Sequence, residues 1–307
     1  MDPLSDVLSQ LDAHSSFFAG LEAGGDWAIR FPAPDGIKFN AVIEGSCWLV
    51  VEDELPVLLL KGDCFLLSKR RPFTLASDLE IEPVESQEVY RDAKNGIARY
   101  QQRSGFFLIG GRFGFCEEAR LLFDGLPAAI VVNGESDQAC VLQWALLRLA
   151  SELPSTLPGA SLIVRQLGHM MLVHVLRLYL SSGQVHSPGW LMGLSDLKVN
   201  AAIQAIHAAP QRRWTVHELA RVVGMSRSTL ALRFKQKVGM GPLAYVLQWR
   251  MQLAGRELRK HQGSISSIGQ SLGYDSDSAF SNAFKRVMAC SPREYRERQS
   301  QVAGVVR

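Results

Sequence analysis

A chain of 307 residues is long enough for two domains with separate cores. Hydrophobic residues make up 47% and charged residues 21%, and no apolar run reaches the roughly 18–20 residues of a membrane span. Helical membrane spans are thereby excluded, and an ordinary globular composition remains. The net charge of +3 hides an asymmetry: residues 1–195 carry 15 Lys+Arg against 23 Asp+Glu, and residues 196–307 carry 18 against 7. A basic module joined to an acidic one points to nucleic acid as the partner of the first.

Residues 1–20 read as a short helix, with Leu4, Val7, Leu8 and Leu11 at helical spacing. Asp2, Asp6 and Asp12 precede the first basic residue, Arg30, which is the wrong charge for a secretory signal. A cytoplasmic location is expected, with the nucleoid as the place of work in a bacterial cell. From Trp27 to Ile130 short apolar runs alternate with glycine turns, the pattern of an antiparallel sandwich or barrel. Helices follow over about 136–181, broken by Pro154 and Pro158. Residues 186–195 read as a linker, and 196–300 as all-helical. The expected division is 1–185, a linker, and 196–300.

The five cysteines are scattered and show no CxxC spacing, so no disulfide framework or zinc knuckle is expected. No His lies between His14 and His169, so the strand-rich segment offers no set of metal ligands. No metal or other cofactor is expected.

The chemistry-bearing pattern lies in the last third. In residues 214–235, Thr215 and Glu218 have capping-box spacing, Gly224 allows a sharp turn, and Ser226 caps a second helix pinned by Leu230 and Phe234. The same grammar returns about 50 residues on, with Gly273, Ser276, Phe280, Phe284 and Lys285. Two helix-turn-helix units are therefore expected, at about 215–238 and 264–288, joined by a helix from Leu243 to about Lys260. Such a unit reads DNA by laying its second helix in the major groove. Base-edge candidates are Arg227, Ser228, Thr229, Leu232, Asp277, Ser278, Ser281 and Asn282; Asn282 suits adenine, and Leu232 or Ala231 a thymine methyl. Phosphate candidates are Ser226, Lys235, Arg250, Ser276, Lys285 and Arg286.

Leu272-Gly-Tyr-Asp-Ser-Asp-Ser-Ala-Phe-Ser-Asn-Ala-Phe-Lys-Arg286 followed by Ser291-Pro-Arg-Glu-Tyr-Arg296 resembles the signature of the AraC/XylS regulators. Trp249-Arg250-Met251 and Ala254 are similar to that family's linker helix. The resemblance implies an α+β multidomain protein, with an all-α C-terminal domain whose two helix-turn-helix units are held by the linker helix. Ala289 departs from it, standing where the family usually has Gly; the change is expected to cost little unless the backbone there needs a positive φ.

The segment 27–130 resembles the cupin-like sensor and dimerisation barrel found on many AraC-type regulators, through Gly36, Phe39, Val42, Gly45, Cys47, Trp48 and Gly62-Asp63. It implies an antiparallel β-barrel followed by helices. Trp27, Phe39, Trp48, Phe65 and Phe73 are the expected lining of a small-molecule effector pocket. Leu162, Leu167, Met170, Met171 and Leu178 are the expected dimer seam on helix 160–181. The function expected is sequence-specific transcription regulation, with promoter DNA, a second copy, RNA polymerase and a small effector as partners. A cupin-type enzyme carrying an accessory DNA-binding module is the alternative from another class, and a constitutive architectural binder the third.

Overall fold

The computed structural model describes residues 2–8, 17–101, 105–113, 126–134, 140–183, 188–260 and 263–305. They fall into two compact units. Cys116, His14 and the start of the helix expected from 136 lie outside the described residues.

Among the described residues the strand-rich unit has eleven strands: β1 (Phe17–Ala23), β2 (Ala28–Phe31), β3 (Ile37–Glu44), β4 (Ser46–Val51), β5 (Val57–Leu60), β6 (Cys64–Leu67), β7 (Phe73–Ala76), β8 (Val84–Glu85), β9 (Ile97–Tyr100), β10 (Phe106–Phe113) and β11 (Ala129–Val132). They form a six-stranded sheet in the order β11-β6-β3-β10-β1-β9 and a five-stranded sheet in the order β5-β4-β7-β2-β8. The expected antiparallel barrel is thus open, as two sheets. Each sheet also ends in one parallel pair, β1 with β9 and β2 with β8.

The core lies between the sheets. Leu21, Val42, Phe65, Leu67 and Leu108 meet Ile29, Phe31, Leu49, Phe73 and Leu75 there. Burial of this kind contributes about 1.5–3 kcal/mol per large apolar side chain. Of the helix expected over 1–20, Pro3–Leu8 is helical (α1) and residues 9–16 lie outside the described residues, whereas β1 starts at Phe17 and follows period two. Leu21 and Ala23 then face the core, and Phe18 takes the other side. Asp63 closes the turn after β5. Its carboxylate accepts from the Leu60 and Gly134 amides, each at 2.9 Å.

After β8 comes the short α2 (Ser86–Tyr90), whose Val89 joins the core. The outer side of the six-stranded sheet carries α3 (Cys140–Glu152) and α4 (Ala160–Ser181), which pack on each other. Phe18 reaches between Gly111 of β10 and Gly168 of α4. A Cβ at Gly168 would stand against the Phe18 ring, so α4 can lie this close to the sheet only with glycine there.

The second unit holds α5 (Trp190–Ser195), α6 (Leu197–Ala208), α7 (Val216–Val223), α8 (Arg227–Val238), α9 (Pro242–Arg259), α10 (Ile265–Ser271), α11 (Asp277–Met288) and α12 (Pro292–Val305). It also includes α1. Leu4 and Val7 of α1 are buried, and α1 packs on α6. There the Asp6 carboxylate lies 3.1 Å from His207 Nδ1, and His207 Nε2 lies 2.9 Å from the Tyr245 hydroxyl. The imidazole also stacks on Trp249 at 3.7 Å. Burial pushes its pKa down to about 4, against the pull of Asp6.

Candidate nucleic-acid interface

The first helix-turn-helix unit is α7 and α8. Thr215 starts α7 with a complete capping box: its hydroxyl accepts from the Glu218 amide at 3.1 Å, and Glu218 accepts from the Thr215 amide at 2.9 Å. Arg212 beside Glu218, with the Thr215 donors, holds that carboxyl down to about 2. Lys198 Nζ donates to the Val223 carbonyl at 2.8 Å, which satisfies an orphan acceptor at the end of α7. Gly224 turns the chain in the left-handed region, φ 65°, a conformation that favours glycine. Ser226 then caps α8 through the Thr229 amide at 3.2 Å.

The second unit is α10 and α11. Ser264 caps α10 through the Ser267 amide at 3.0 Å, and Ser276 caps α11 through the Ala279 amide at 3.2 Å. Phe280 and Phe284 are fully buried with Met251, Ala254, Leu258, Ile268 and Tyr295. The C-terminal half of α9 is therefore the core of this unit. The other half serves the first unit, with Tyr245 edge-on to Phe234 at 5.7 Å. One helix thus belongs to both cores, and this fixes the units to each other.

Arg250 adds to that joint. Its Nε donates to the Pro210 carbonyl at 2.6 Å and its Nη2 to the Arg212 carbonyl at 2.9 Å, and the guanidinium lies over the Tyr274 ring at 5.5 Å. Arg213 pairs with Asp275 across the same joint. Gly273 packs so closely on Gln211 that a Cβ there would strike its carbonyl. Arg250 therefore spends two of its donors inside the domain.

Leu230 and Phe234 fix the inward side of α8, and Phe280 and Phe284 that of α11. With 3.6 residues per turn, the opposite side of α8 presents Ser228, Leu232 and Gln236, and that of α11 presents Ser278, Asn282 and Arg286. All six are exposed. Lys235 and Lys285 flank the two stripes at equivalent places and are exposed too. Thr229 lies on the flank of the first stripe, its hydroxyl 2.7 Å from the Ser226 hydroxyl. Arg227 and Asp277 begin their helices, off the stripes, and Ser281 is half-buried. Ser226 and Ser276 spend their oxygens as caps. Arg233 is held by Asp196 at 2.8 Å, which ties α8 to the cap of α6. Sequence reading missed Gln236. Its signal was present, four residues beyond Leu232 on one face.

The strand-rich unit places the expected pocket residues on different sides. Trp27, Phe65 and Phe73 lie in the core between the sheets. Phe39 does not: it pairs with Leu66, one residue out of step with Phe65, and so faces the helix side. Trp48 alternates with the core residues Cys47 and Leu49 and is half-buried on the outer side of its sheet. On α4, Leu167 and Met171 are buried within the chain, so they cannot form a seam. Leu162 is exposed, and Met170 and Leu178 are half-buried. Among the described residues no group of three or more His, Cys, Asp or Glu could hold a metal ion. Nor is any helix long and apolar enough to cross a membrane.

Residues 2–181 match the family described as Cupin, and residues 219–298 the family described as Helix-turn-helix domain. The chain is 47% identical over 300 residues to an AraC-like transcription regulator of Streptomyces lividans, covering 97% of this chain and 98% of that one. It is 46% identical over 299 residues to an AraC-like transcription regulator of Streptomyces antibioticus, covering 97% and 99%. It is 27% identical over 307 residues to the HTH-type transcriptional regulator AlkR of Acinetobacter baylyi, covering 97% and 99%.

Proposed function

The chain belongs to the AraC-like transcription regulators, and on that premise we propose that its two exposed stripes read two successive major-groove segments of one promoter. It is a DNA-binding regulator with a cupin-like N-terminal domain. The observation that carries the finer reading is the equivalence of Ser228, Leu232 and Gln236 with Ser278, Asn282 and Arg286 on helices whose opposite faces are sealed into one joined core. Gln236 and Asn282 have the bidentate chemistry for adenine, Arg286 that for guanine, and Leu232 the apolar contact for a thymine methyl. Lys235 and Lys285 take phosphates, assisted by the hydroxyl protons of Ser226 and Ser276. Arg227, Thr229, Asp277 and Ser281 sit at the edges of the same surface and tune the reading. Arg250 positions the two units and touches no DNA.

The N-terminal domain dimerises and senses an effector in this reading. The seam narrows to the exposed side of α4, where Leu162 and Ile163 lie near the half-buried Met170. The relatives named above carry the names of transcription regulators, which supports the regulator reading over the enzyme alternative. The test is a salt titration of binding to a genomic fragment selected by the protein. Lys285→Ala weakens all sequences alike and flattens the logarithmic salt slope by about one unit. Asn282→Ala leaves the slope unchanged and relaxes preference at one base pair. Equal losses on specific and bulk DNA in both variants would refute the division.

A further inference from the structure

The six-stranded sheet ends on β9 and the five-stranded sheet on β8. The short helix α2 packs on both of these edge strands. A groove of about 570 Å³ lies there, beside the packed interior and open to solvent. Small-molecule pockets occupy roughly 300–1,000 Å³. Its floor is apolar: Val84 of β8, Val89 of α2 and Ile97 of β9. Val89 belongs to the core between the sheets and Val84 packs against it, so the floor is the edge of that core.

The rim carries charges that the chain itself leaves unused. Glu88 lies on α2, and Arg91 keeps helical backbone angles at the end of that helix. Asp92 therefore stands one turn from Glu88 on the same side. Lys94 opens a tight turn. Its amide donates to the Ile97 carbonyl, and the Ile97 amide donates to the Lys94 carbonyl, each at 3.0 Å. Asn95 and Gly96 between them have φ 51° and 74°, the positive angles of the tightest two-residue turns. The backbone of β9 thus fixes Lys94 at the groove. The side chains of Glu88, Asp92 and Lys94 all line it and are exposed. Among the described residues none of the three has an ion pair or a side-chain hydrogen bond. Arg99, the other cation of the lining, is already held by Glu22 at 2.6 Å. Two carboxylates against one ammonium remain above an apolar floor.

We propose that this groove takes a basic amino acid, a ligand with two cations, one carboxylate and an aliphatic stem. The site deepens the effector reading given above and rests on it for its regulatory meaning. Asp92, two residues from Lys94 in the chain, accepts from the α-ammonium while Lys94 donates to the ligand carboxylate. Glu88, one turn back, accepts from the side-chain cation. Helical side chains at that spacing stand about 5–6 Å apart at Cβ, a distance the stem spans. The stem lies on Val84, Val89 and Ile97, as the stems of Lys and Arg lie on apolar protein surface. Charge matching narrows the class. A neutral amino acid leaves one carboxylate unanswered, a diamine leaves Lys94 unanswered, and an apolar carboxylate meets two like charges.

The experiment is equilibrium dialysis of the full chain against labelled L-lysine, L-arginine, L-norleucine or cadaverine, on wild type, Glu88→Gln, Asp92→Asn and Lys94→Met. The three positions are exposed and unpaired, so the variants keep the wild-type melting temperature. L-lysine or L-arginine binds the wild type at least about tenfold more tightly than norleucine or cadaverine, the weight of one charge-assisted hydrogen bond. Asp92→Asn and Lys94→Met each weaken that ligand about tenfold or more. Glu88→Gln brings it down to the level of norleucine and leaves norleucine unchanged, which a merely structural role would not do. No binding of either basic amino acid, norleucine bound as tightly as lysine, or equal affinity in all variants overturns the proposal. DNA binding is followed with and without L-lysine and L-arginine. A change that Asp92→Asn abolishes supports the sensor role. Binding in the groove with DNA affinity unchanged keeps the site and rejects the effector reading.

Discussion

The two helix-turn-helix units share a grammar but not a margin of safety. The first has a full capping box at Thr215, a Lys198 side chain on its first helix end, Gly239 closing its second helix at φ 86°, and Arg233 tied to Asp196. The second has single serine caps, and Ala289 closes its second helix at φ 56°. It recovers order from the element that follows, where Ser291 and Glu294 exchange hydrogen bonds at 2.8 and 3.2 Å at the start of α12. The first unit has local chemistry in addition to its core with α9; the second relies on its core with α9 and α12. Local caps contribute about 1 kcal/mol each, whereas a buried aromatic is worth several times that. The second unit should therefore depend more steeply on packing.

The largest break in this comparison is Phe284→Ala. It should cost about 3–5 kcal/mol and melt α10–α12 in hydrogen exchange while α7 and α8 stay protected. Phe234→Ala costs a similar amount but spreads to α6 and α9, since Phe234 also meets Tyr245. Next is Arg250→Met. Two charged hydrogen bonds are lost, each worth about 1.5–3 kcal/mol, and the carbonyls of Pro210 and Arg212 lose their donor. Binding to a two-segment site should fall far more than binding to half of it, because the joint between the units loosens. Thr215→Ala follows, at about 1 kcal/mol.

The smallest effects concern pH and Ala289. The Glu218 carboxyl is held below its ordinary value in the folded chain, so its contribution is present above the unfolded pKa and fades as pH falls toward 2. His207 is likewise depressed, to about 4 against 6.5. The unfolded chain then binds the proton first, so stability falls as pH drops from 6.5 toward 4. Chemical denaturation of wild type and Asp6→Asn over that window should show a steeper fall in the variant, whose imidazolium has lost its carboxylate. Ala289→Gly should stabilise the second unit by up to about 1 kcal/mol, read as a rise in its melting temperature. A loss of stability there would contradict the strain assigned to that position.

Both helix-turn-helix units were legible because their signals are local. Caps, glycine turns and pinned apolar residues lie within about twenty residues and repeat. The linker helix was legible for the same reason. The internal hydrogen bonds of Arg250 were not legible because its partners, the carbonyls of Pro210 and Arg212, lie forty and thirty-eight residues away. The strands were found, but not their sides. Phe39 and Phe65 look alike in sequence, yet register puts one under the helices and the other between the sheets. Leu167 and Met171 looked like a seam because a helix that packs on both α3 and a sheet uses most of its circumference. The Ala289 cost depended on a backbone angle that no neighbouring residue announced.

The central claim is that two stripes read two separated parts of one site. A binding-site selection with the full chain, run on Gln236→Ala and Asn282→Ala beside the wild type, tests it directly. Each variant should relax preference at its own base pairs, and the two sets should lie about one helical turn, 10–10.5 base pairs, apart. Relaxation at the same position in both, or uniform weakening with the selected motif intact, would contradict it.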